Sequence, residues 1–136
     1  MAKLVLTNAN VTLNGTDVSS NVAAITLSTS AAEVPTTSFG SGGAVTRVAG
    51  LLDNSVTVSF HNDFSAIEGL VYPLVGSTAV TMVVKPNGTA VSTANPSYTF
   101  SVLCTEWTPV NGAVGELNTA DVTWPISGTI TKSTTA

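Results

Sequence analysis

The sequence predicts a mostly β domain, a sandwich or barrel of about seven or eight strands with one short flanking α-helix. Apolar and polar residues alternate with a period of two along most of the chain. Asn, Gly and Pro residues separate these alternating stretches, as turn residues do. One stretch near the middle instead repeats its apolar residues every three or four positions. The length of 136 residues suits a single domain, 1–136, with its own hydrophobic core.

The predicted strands are the stretches in which the alternation is clearest. Asn14-Gly15 and Asn87-Gly88 predict tight turns, since both residue types tolerate the positive φ that two-residue hairpin turns require. We expect the last residues, 131–136, to form a flexible tail. The predicted strands cover residues 3–7, 10–13, 22–29, 56–61, 78–85, 98–104, 121–126 and 129–132.

The helical spacing predicts one short amphipathic helix over residues 64–72, lying on the sheet. Ser65 and Glu68 have the spacing of a capping box, and Asp63 adds negative charge where the helix begins. Pro73 should end the helix, because it lacks an N–H and its ring clashes with the preceding turn. The apolar residues of this face are Phe64, Ile67, Val71 and Leu74.

The charged fraction is only 9%, with 4 basic and 8 acidic residues and a net charge of -4. Ordinary soluble domains contain about 25% charged residues. A domain with so few charges exposes a surface that tends to associate with other copies. We therefore expect an obligate or stacked homo-oligomer. The alternative is a soluble monomer in which Thr, Ser and Asn take the place of charged residues.

Residues 32–51 form a long predicted connection that contains one acid, one base and mostly small or apolar residues. Ordering about twenty residues costs on the order of 20–40 kcal/mol of backbone entropy, which a loop on its own domain offsets poorly. We expect this assembly loop to be mobile in the free subunit and ordered against a neighbouring subunit, rather than simply disordered. The predicted intersubunit contacts are Val34, Phe39, Gly40, Val45, Arg47 and Leu51, with Phe39 and Val45 as apolar anchors.

Few residues could support catalysis. His61 and Cys104 are the only histidine and the only cysteine, and they could form a Cys-His dyad. Cys104, however, falls on the apolar face of its strand, where a small buried hydrophobic residue is expected. Asp63 and Glu68 could act as an acid and base pair, but their places at a helix start explain both. We predict no enzyme, no cofactor and no metal site.

The basic residues are scattered along the chain, so the sequence lacks the basic cluster with which proteins grip nucleic acid. The negative net charge still allows a channel lined by acids and hydroxyls, through which DNA passes without binding. No apolar run approaches the about 20 residues of a membrane span, and the N-terminal apolar run is too short for a signal peptide. A single cysteine fits either a reducing compartment or a protein that is indifferent to redox state.

Several stretches, in their order, carry a resemblance to a known family. They are NGTDVSSNVAAITLS, TSFG, AGLLDNSVTVSFHNDF, SAIEGLVYPLVG, VVKPNG, NPSYTFSVLCTEWTPVNGAVGE and VTWPISGTITK. Over nearly its full length the chain resembles the tail tube proteins, or major tail proteins, of long-tailed bacteriophages. A contractile tail's inner tube is a neighbouring possibility. From the sequence we expect no immunoglobulin-like C-terminal domain of the kind that some relatives carry.

The resemblance implies a β-sandwich subunit that forms hexameric rings, which stack into a hollow tube in the virion tail. The tube surrounds the tape-measure protein, contacts tail tip and terminator proteins, and later passes DNA into the host. Such a protein is made in the cytoplasm of the bacterial host. The alternative function is a binding module, either a capsid decoration protein or an adhesin-like β domain.

Overall fold

The computed structural model describes residues 5–135, apart from the side chain of residue 66. Within that range the chain forms one seven-stranded antiparallel sheet in the order β2-β1-β5-β6-β7-β4-β3. The prediction of a mostly β fold with one short helix is therefore confirmed. The strands are β1 Asn10–Leu13, β2 Thr16–Asp17, β3 Val22–Pro35, β4 Arg47–His61, β5 Val80–Lys85, β6 Ser97–Val102 and β7 Thr119–Ser133.

Strand β7 joins the two groups of strands in this sheet. Its first half pairs with β4, as far as Pro125 opposite Ser55. Its second half pairs with β6, beginning at Ile126 opposite Val102. A strand that changes partner in this way forms the corner between two packed sheets. The apolar faces of both groups consequently share one hydrophobic core.

The core follows the period-two pattern of the strands. In β4 the inward residues Val56, Val58 and Phe60 are completely buried, as the alternation predicts. In β7 Trp124 is completely buried, and its indole N–H donates to the backbone oxygen of Glu106 at 2.9 Å. That bond supplies the partner that a buried indole N–H needs. The other completely buried side chains include Leu13, Met82 and Val102.

The helical segment is irregular. It begins with a π-helical turn over Phe64–Glu68, continues as a single α turn over Gly69–Val71, and ends as a 3₁₀ turn over Tyr72–Leu74. Ile67 and Val71 point into the core, as the spacing predicts. Within residues 5–135, no helix has both the length and the apolar character that crossing a membrane requires.

Asp63 caps this segment. Its carboxylate accepts hydrogen bonds from the Ser65 N–H at 3.0 Å and from the Ser65 hydroxyl at 2.7 Å. Its backbone oxygen accepts from the N–H groups of Ile67 and Glu68, at 2.7 and 3.0 Å. The geometry thus differs from the Ser65–Glu68 capping box of the sequence analysis. A carboxylate is a stronger acceptor than a hydroxyl, so Ser65 donates to Asp63 instead of capping.

Three predicted local features differ in the structure. Residues 5–7 of the predicted strand 3–7 are not in a strand, and residues 3 and 4 lie outside the described range. Neither residue of Asn87-Gly88 has a positive φ, whereas Asn14 and Gly15 have φ of 51° and 84°. The two strands predicted at 121–126 and 129–132 are one, because Gly128 takes a φ of 95° without ending the pairing.

The predicted flexible tail, 131–136, is also partly strand. Residues 131, 132 and 133 belong to β7, and Lys132 and Ser133 lie opposite Tyr98 and Ser97 of β6. The alternation that marks a half-buried strand is weak there, so the sequence alone did not reveal the pairing. Residue 136 lies outside the described range.

Candidate functional site

The predicted loop over residues 32–51 is largely a β-hairpin. β3 continues to Pro35 and β4 begins at Arg47, so only residues 36–46 connect the strands. Val34 lies opposite Val48 and Pro35 opposite Arg47. This pairing corrects the prediction of a loop: the exposed strands carry too little apolar alternation to be recognised, yet their backbone groups satisfy each other across the hairpin.

The hairpin tip is held by hydrogen bonds among small polar residues. The Thr36 N–H donates to the Thr46 backbone oxygen at 2.8 Å, and the two threonine hydroxyls lie 2.9 Å apart. The Thr46 N–H donates to the Thr37 hydroxyl at 3.0 Å. The Ser38 N–H donates to the Ser41 hydroxyl, also at 3.0 Å, where a short 3₁₀ turn begins. The tip therefore has a defined backbone shape without apolar packing of its own.

The side chains of the hairpin are exposed although many are apolar. Phe39, at the tip, is fully exposed, and Leu51 is 84% exposed. A two-stranded hairpin without a covered apolar face is only marginally stable in water. Arg47 forms an ion pair with Glu33 at 2.5 Å, so its charge is locally balanced. The exposed apolar residues of the hairpin are Val34, Phe39, Val45, Val48 and Leu51.

The glycines of the hairpin do two different things. Gly42 and Gly43 have φ of 67° and 85°, so they allow the left-handed turn at the tip. Gly40 and Gly50 do not have positive φ. Gly50 instead lies under Val34, where an added Cβ would stand 2.8 Å from the Val34 Cγ2 atom. The close approach of Val34 therefore explains why a residue without a Cβ stands at position 50.

A second surface covers the outer face of β3, β4 and β7. Thr26, Thr57 and Thr123 lie side by side across the three strands, and the Thr57 and Thr123 hydroxyls are 3.2 Å apart. In the next row the Ser59 hydroxyl donates to the Asp121 carboxylate at 2.5 Å. We call this surface the hydroxyl face. Its residues are Ala24, Thr26, Ser28 and Ser30 of β3, Asp53, Ser55, Thr57, Ser59 and His61 of β4, and Thr119, Asp121, Thr123 and Pro125 of β7.

The composition of the hydroxyl face is its main property. It carries two carboxylates, one histidine at the end of β4, no lysine or arginine and no large aliphatic side chain. In each strand taken alone, the alternation of the sequence predicts which polar residues point outward. The sequence could not show that three strands present them side by side, because that depends on the order β7-β4-β3 and on the register.

The hydroxyl face ends at an open edge. Within the described residues β3 pairs with β4 alone, and it stands last in the strand order. It is 14 residues long, and most of its side chains are exposed. Natural edge strands are commonly shortened, charged or covered, because their free N–H and C=O groups pair with other chains. β3 carries a single charged residue, Glu33, and it is therefore open to further pairing.

The residues considered for catalysis are not arranged for it. Cys104 is 2% exposed, and burial raises the pKa of its thiol to about 11. The thiol therefore stays protonated and poorly nucleophilic at neutral pH. His61 lies exposed at the end of β4. Among the described residues no three His, Cys, Asp or Glu side chains stand close enough to hold a metal ion.

A bracing contact that the sequence analysis missed lies between β2 and β1. The Asp17 carboxylate accepts from the Ser19 hydroxyl at 2.6 Å and from the Ser19 N–H at 2.9 Å. The Ser19 hydroxyl in turn accepts from the Val11 N–H at 2.8 Å. These bonds to Ser19, with a smaller contribution from Lys85, lower the pKa of Asp17. The Asp-x-Ser spacing was the available signal, since it is typical of such turns.

Comparison with known proteins gives a likeness in fold. No protein-family model matches the chain. No curated protein matches it in sequence either. A chain from the virion of a native gene transfer agent particle matches with a TM-score of 0.69 and 12% identity. The match covers 93% of this chain and 95% of that chain. The fold of this protein is thus shared, over nearly its whole length, with a component of a gene transfer agent virion.

Proposed function

We propose that the protein is a structural subunit of a phage tail tube, in which hexameric rings stack around a channel. The channel holds the tape-measure protein during assembly and later conducts DNA. The observation that carries the proposal is the hydroxyl face, which has no lysine or arginine and ends at the open edge of β3. The fold shared with a chain of a gene transfer agent virion supports a role in a virion.

The open edge of β3 supports the formation of a ring. A strand of the next copy can add to β3 and continue the sheet, and repeating this step around a six-fold axis closes a wall without free edges. Backbone hydrogen bonds supply the contact, so the interface needs few charged residues. The low charged fraction of 9% agrees with a surface that neighbouring copies largely cover.

The hydroxyl face is suited to line a channel through which DNA passes. Duplex DNA carries about one phosphate charge per 1.7 Å of its axis, and proteins bind it by placing basic groups against those charges. The hydroxyl face offers Asp53 and Asp121 instead. Repeating the two aspartates around a ring adds their fields inside the channel. DNA is then weakly repelled by the wall and slides along it.

The hairpin supplies contacts outside the ring wall. Its backbone is formed before assembly, and Phe39, Val45 and Leu51 are ready to be covered by another subunit. Covering these side chains stabilises the assembly by about 25 cal/mol for each Å² of apolar surface removed from water. The protein then acts without chemistry of its own, in the tail of a virion assembled in the host cytoplasm, together with tape-measure, tip and terminator proteins.

The proposal is tested by following the purified protein at increasing concentration. We expect sedimentation velocity to show large species, and negative-stain electron microscopy to show rings or tubes with a central channel. A tail tip complex should lower the concentration at which tubes form. A discrete monomer or trimer at millimolar concentration, even beside the tip complex, would overturn the proposal. That result would favour the capsid decoration or adhesin-like function.

A further inference from the structure

The basic residues among those described lie together at one end of the sheet. They are Arg47, Lys85 and Lys132, while Lys3 lies outside the described range. Lys85 ends β5 and Lys132 lies near the end of β7, and Tyr98 of β6 stands opposite Val84 and Lys132. Arg47 begins β4, which runs antiparallel to β7. All three therefore lie at the same end of the sheet, which we call the groove end.

A groove of about 540 Å³ opens at this end, between the edge strand β3 and the strands β5, β6 and β7. Its wall is mostly apolar, while Lys85 and Lys132 lie in the same lining. Asn54 is buried there, with its side-chain N–H donating to the Gly128 backbone oxygen at 3.1 Å. Among the described residues, Arg47 is paired with Glu33, and the Lys85 ammonium donates to the Thr89 backbone oxygen at 3.2 Å while keeping further donors. Lys85 and Lys132 are therefore the described positive charges that line the groove. The apolar lining includes Leu6, Ile25, Leu27, Val84 and Ile130.

The opposite end carries exposed apolar residues and acids. We call it the loop end, because residues 103–118 connect β6 to β7 there without regular structure. Val114 is fully exposed, Val110 is 81% exposed and Leu117 is 61% exposed. Five of the eight acidic residues lie in or beside the segments of this end, and none of the three described basic residues does. These acids are Asp63, Glu68, Glu106, Glu116 and Asp121.

The exposed part of this loop has a fixed shape. The Asn111 N–H donates to the Asn118 side-chain oxygen at 2.8 Å, and the Thr119 N–H donates to the Asn111 backbone oxygen at 3.2 Å. The Glu116 carboxylate accepts from the Ala113 N–H at 2.9 Å. Residues 110–117 therefore project as a closed loop, with Val114 and Glu116 close together in the chain. A preformed loop loses less entropy on binding than a flexible one.

We propose that the groove of one copy receives the loop 110–117 of a second copy, so that Val114 enters the apolar lining and Glu116 meets Lys85 and Lys132. The inference rests on the proposed function and adds to it the two surfaces that meet between rings. The single strand β7 begins next to the loop and ends at the groove, so the two surfaces lie at opposite ends of one molecule. Such a head-to-tail contact is heterologous and repeats along an axis.

Charge complementarity is the reason for choosing a second copy as the occupant. An apolar groove flanked by two lysines fits an apolar segment that carries a carboxylate, and the loop 110–117 is one. Opposite charges across an interface fix its register and suppress the reversed arrangement, because two lysine-lined grooves, or two loops carrying Glu116, would place like charges against each other. The contact thereby gives the stack one direction.

The decisive experiment exchanges the charges across the contact. The double variant Lys85→Glu, Lys132→Glu and the single variant Glu116→Lys should each raise the critical concentration for tube formation by about tenfold or more. The triple variant, which carries all three changes, should restore assembly toward the wild-type value. Circular dichroism and thermal unfolding confirm that each variant is folded before assembly is compared. Salt should weaken wild-type assembly, because it screens these pairs.

Two results would overturn the inference, and they are distinct from failure of the proposed function. If wild-type protein forms tubes and the charge variants form them equally well, the groove and the loop do not meet. If the triple variant assembles as poorly as the double variant, the three residues do not form one contact. If wild-type protein forms neither rings nor tubes, the tail tube function itself is wrong, and this inference falls with it.

A cross-link gives a readout that does not depend on charge. In a Cys104→Ala background, Val114→Cys and Ile130→Cys place one thiol in the loop and one in the groove. Mild oxidation of assembled protein with copper phenanthroline should give a ladder of covalent multimers on non-reducing gels. The matched control replaces Ile130→Cys by Thr57→Cys, which puts the second thiol on the hydroxyl face. Equal ladders from both variants, or none from the first, would contradict the proposed contact.

Discussion

At the scale of single residues, the structure distinguishes side chains that the composition leaves equivalent. Cys104 and His61 are the only residues of their types, yet one is buried in the core and the other is exposed at a strand end. Asp17 is a surface acid, yet it holds Ser19 and through it the Val11 N–H of the neighbouring strand. Burial and hydrogen bonding, which depend on the fold, decide what each residue does.

The buried thiol of Cys104 predicts a loss of stability at alkaline pH. The thiol has an ordinary pKa of 9.0 in the unfolded chain and a pKa of about 11 in the folded protein. Between these values the unfolded state releases the proton and the folded state keeps it, so the free energy of unfolding falls as pH rises. The slope from this group is at most about 1.4 kcal/mol per pH unit.

Urea unfolding at pH 8 to 11, compared between wild type and Cys104→Ala, measures that slope. The alanine variant should be less stable at pH 8, because it leaves a small cavity, but its stability should decline less steeply with pH. Native protein should also react slowly with a thiol reagent such as Ellman's reagent. Parallel pH profiles, or labelling as fast as in urea, would show that the thiol is accessible.

The carboxylate of Asp17 predicts the opposite dependence at acid pH. Its pKa is lowered from 3.8 in the folded protein by the hydrogen bonds from Ser19, so it stabilises the fold above that value and loses its effect as pH falls through the lowered pKa. Asp17→Asn should therefore be less stable than wild type at pH 7. Thermal unfolding from pH 7 to pH 2 should show the two proteins converging. A difference that persists unchanged at pH 2 would exclude the ionised carboxylate as its cause.

At the scale of elements, the hairpin is the part that differs most from its prediction. Its backbone is paired in the isolated subunit, while its apolar side chains remain uncovered. The entropy cost that the sequence analysis assigned to assembly is thus partly met by the pairing of β3 and β4. The proposed assembly would therefore cover side chains rather than order twenty residues.

Phe39→Asp should leave the β fold intact and stop polymerisation. Phe39 is fully exposed, so the change costs the subunit little, whereas a charge in a desolvated contact is strongly unfavourable. The circular dichroism spectrum should be unchanged, and the free energy of unfolding should lie within about 0.5 kcal/mol of the wild-type value. Electron microscopy should show no tubes. Thr105→Asp, which adds the same charge at an exposed position outside the hairpin, is the matched control.

If the Phe39→Asp variant formed normal tubes, the hairpin tip would not be an assembly contact. Hydrogen exchange adds a second measurement on the unchanged chain. The N–H groups of residues 36–46 should exchange faster in the free subunit than in tubes, because exposed hairpins open locally. Equal exchange in both states would mean that no subunit covers the hairpin tip.

At the scale of the whole molecule, the surfaces proposed for assembly face different directions. The hydroxyl face lies on one side of the sheet, the open edge of β3 lies beside it, and the groove and the exposed loop lie at opposite ends of the strands. A subunit with one surface for each of these directions can build a ring, a channel wall and a stack. No strongly charged patch is needed for any of them.

The proposed position of the hydroxyl face in a channel is tested by adding a basic residue to it. Thr57→Arg places one positive charge at the centre of the face of every subunit, while Thr57→Gln is the neutral control. Tubes of the arginine variant should retain a short duplex, protected from nuclease, with an affinity that falls steeply as salt rises. Wild-type and glutamine tubes should not. Equal retention by all three would place another surface in the channel.

The sequence predicted much of the fold and less of the site. The buried residues of β4 and β7 followed from alternation, because one face of each strand must leave water. The hairpin parts of β3 and β4 could not be predicted in this way, because both of their faces are exposed in the isolated subunit and no alternation marks them. Phe39 and Val45 were identified as apolar and available. The groove residues Lys85 and Lys132, 47 positions apart in the chain, were not connected to each other.

What the sequence determined by itself was the class of the molecule: a β domain with a buried period-two core, one helical segment and too few charges for a solitary surface. These properties depend on neighbours close along the chain and on total composition. What only the tertiary structure decided was which residues stand together: the three-strand hydroxyl face, the open edge, and the groove across from the exposed loop. Strand order and register set those contacts, and they arise from pairings between segments far apart in the chain, which local patterns do not contain.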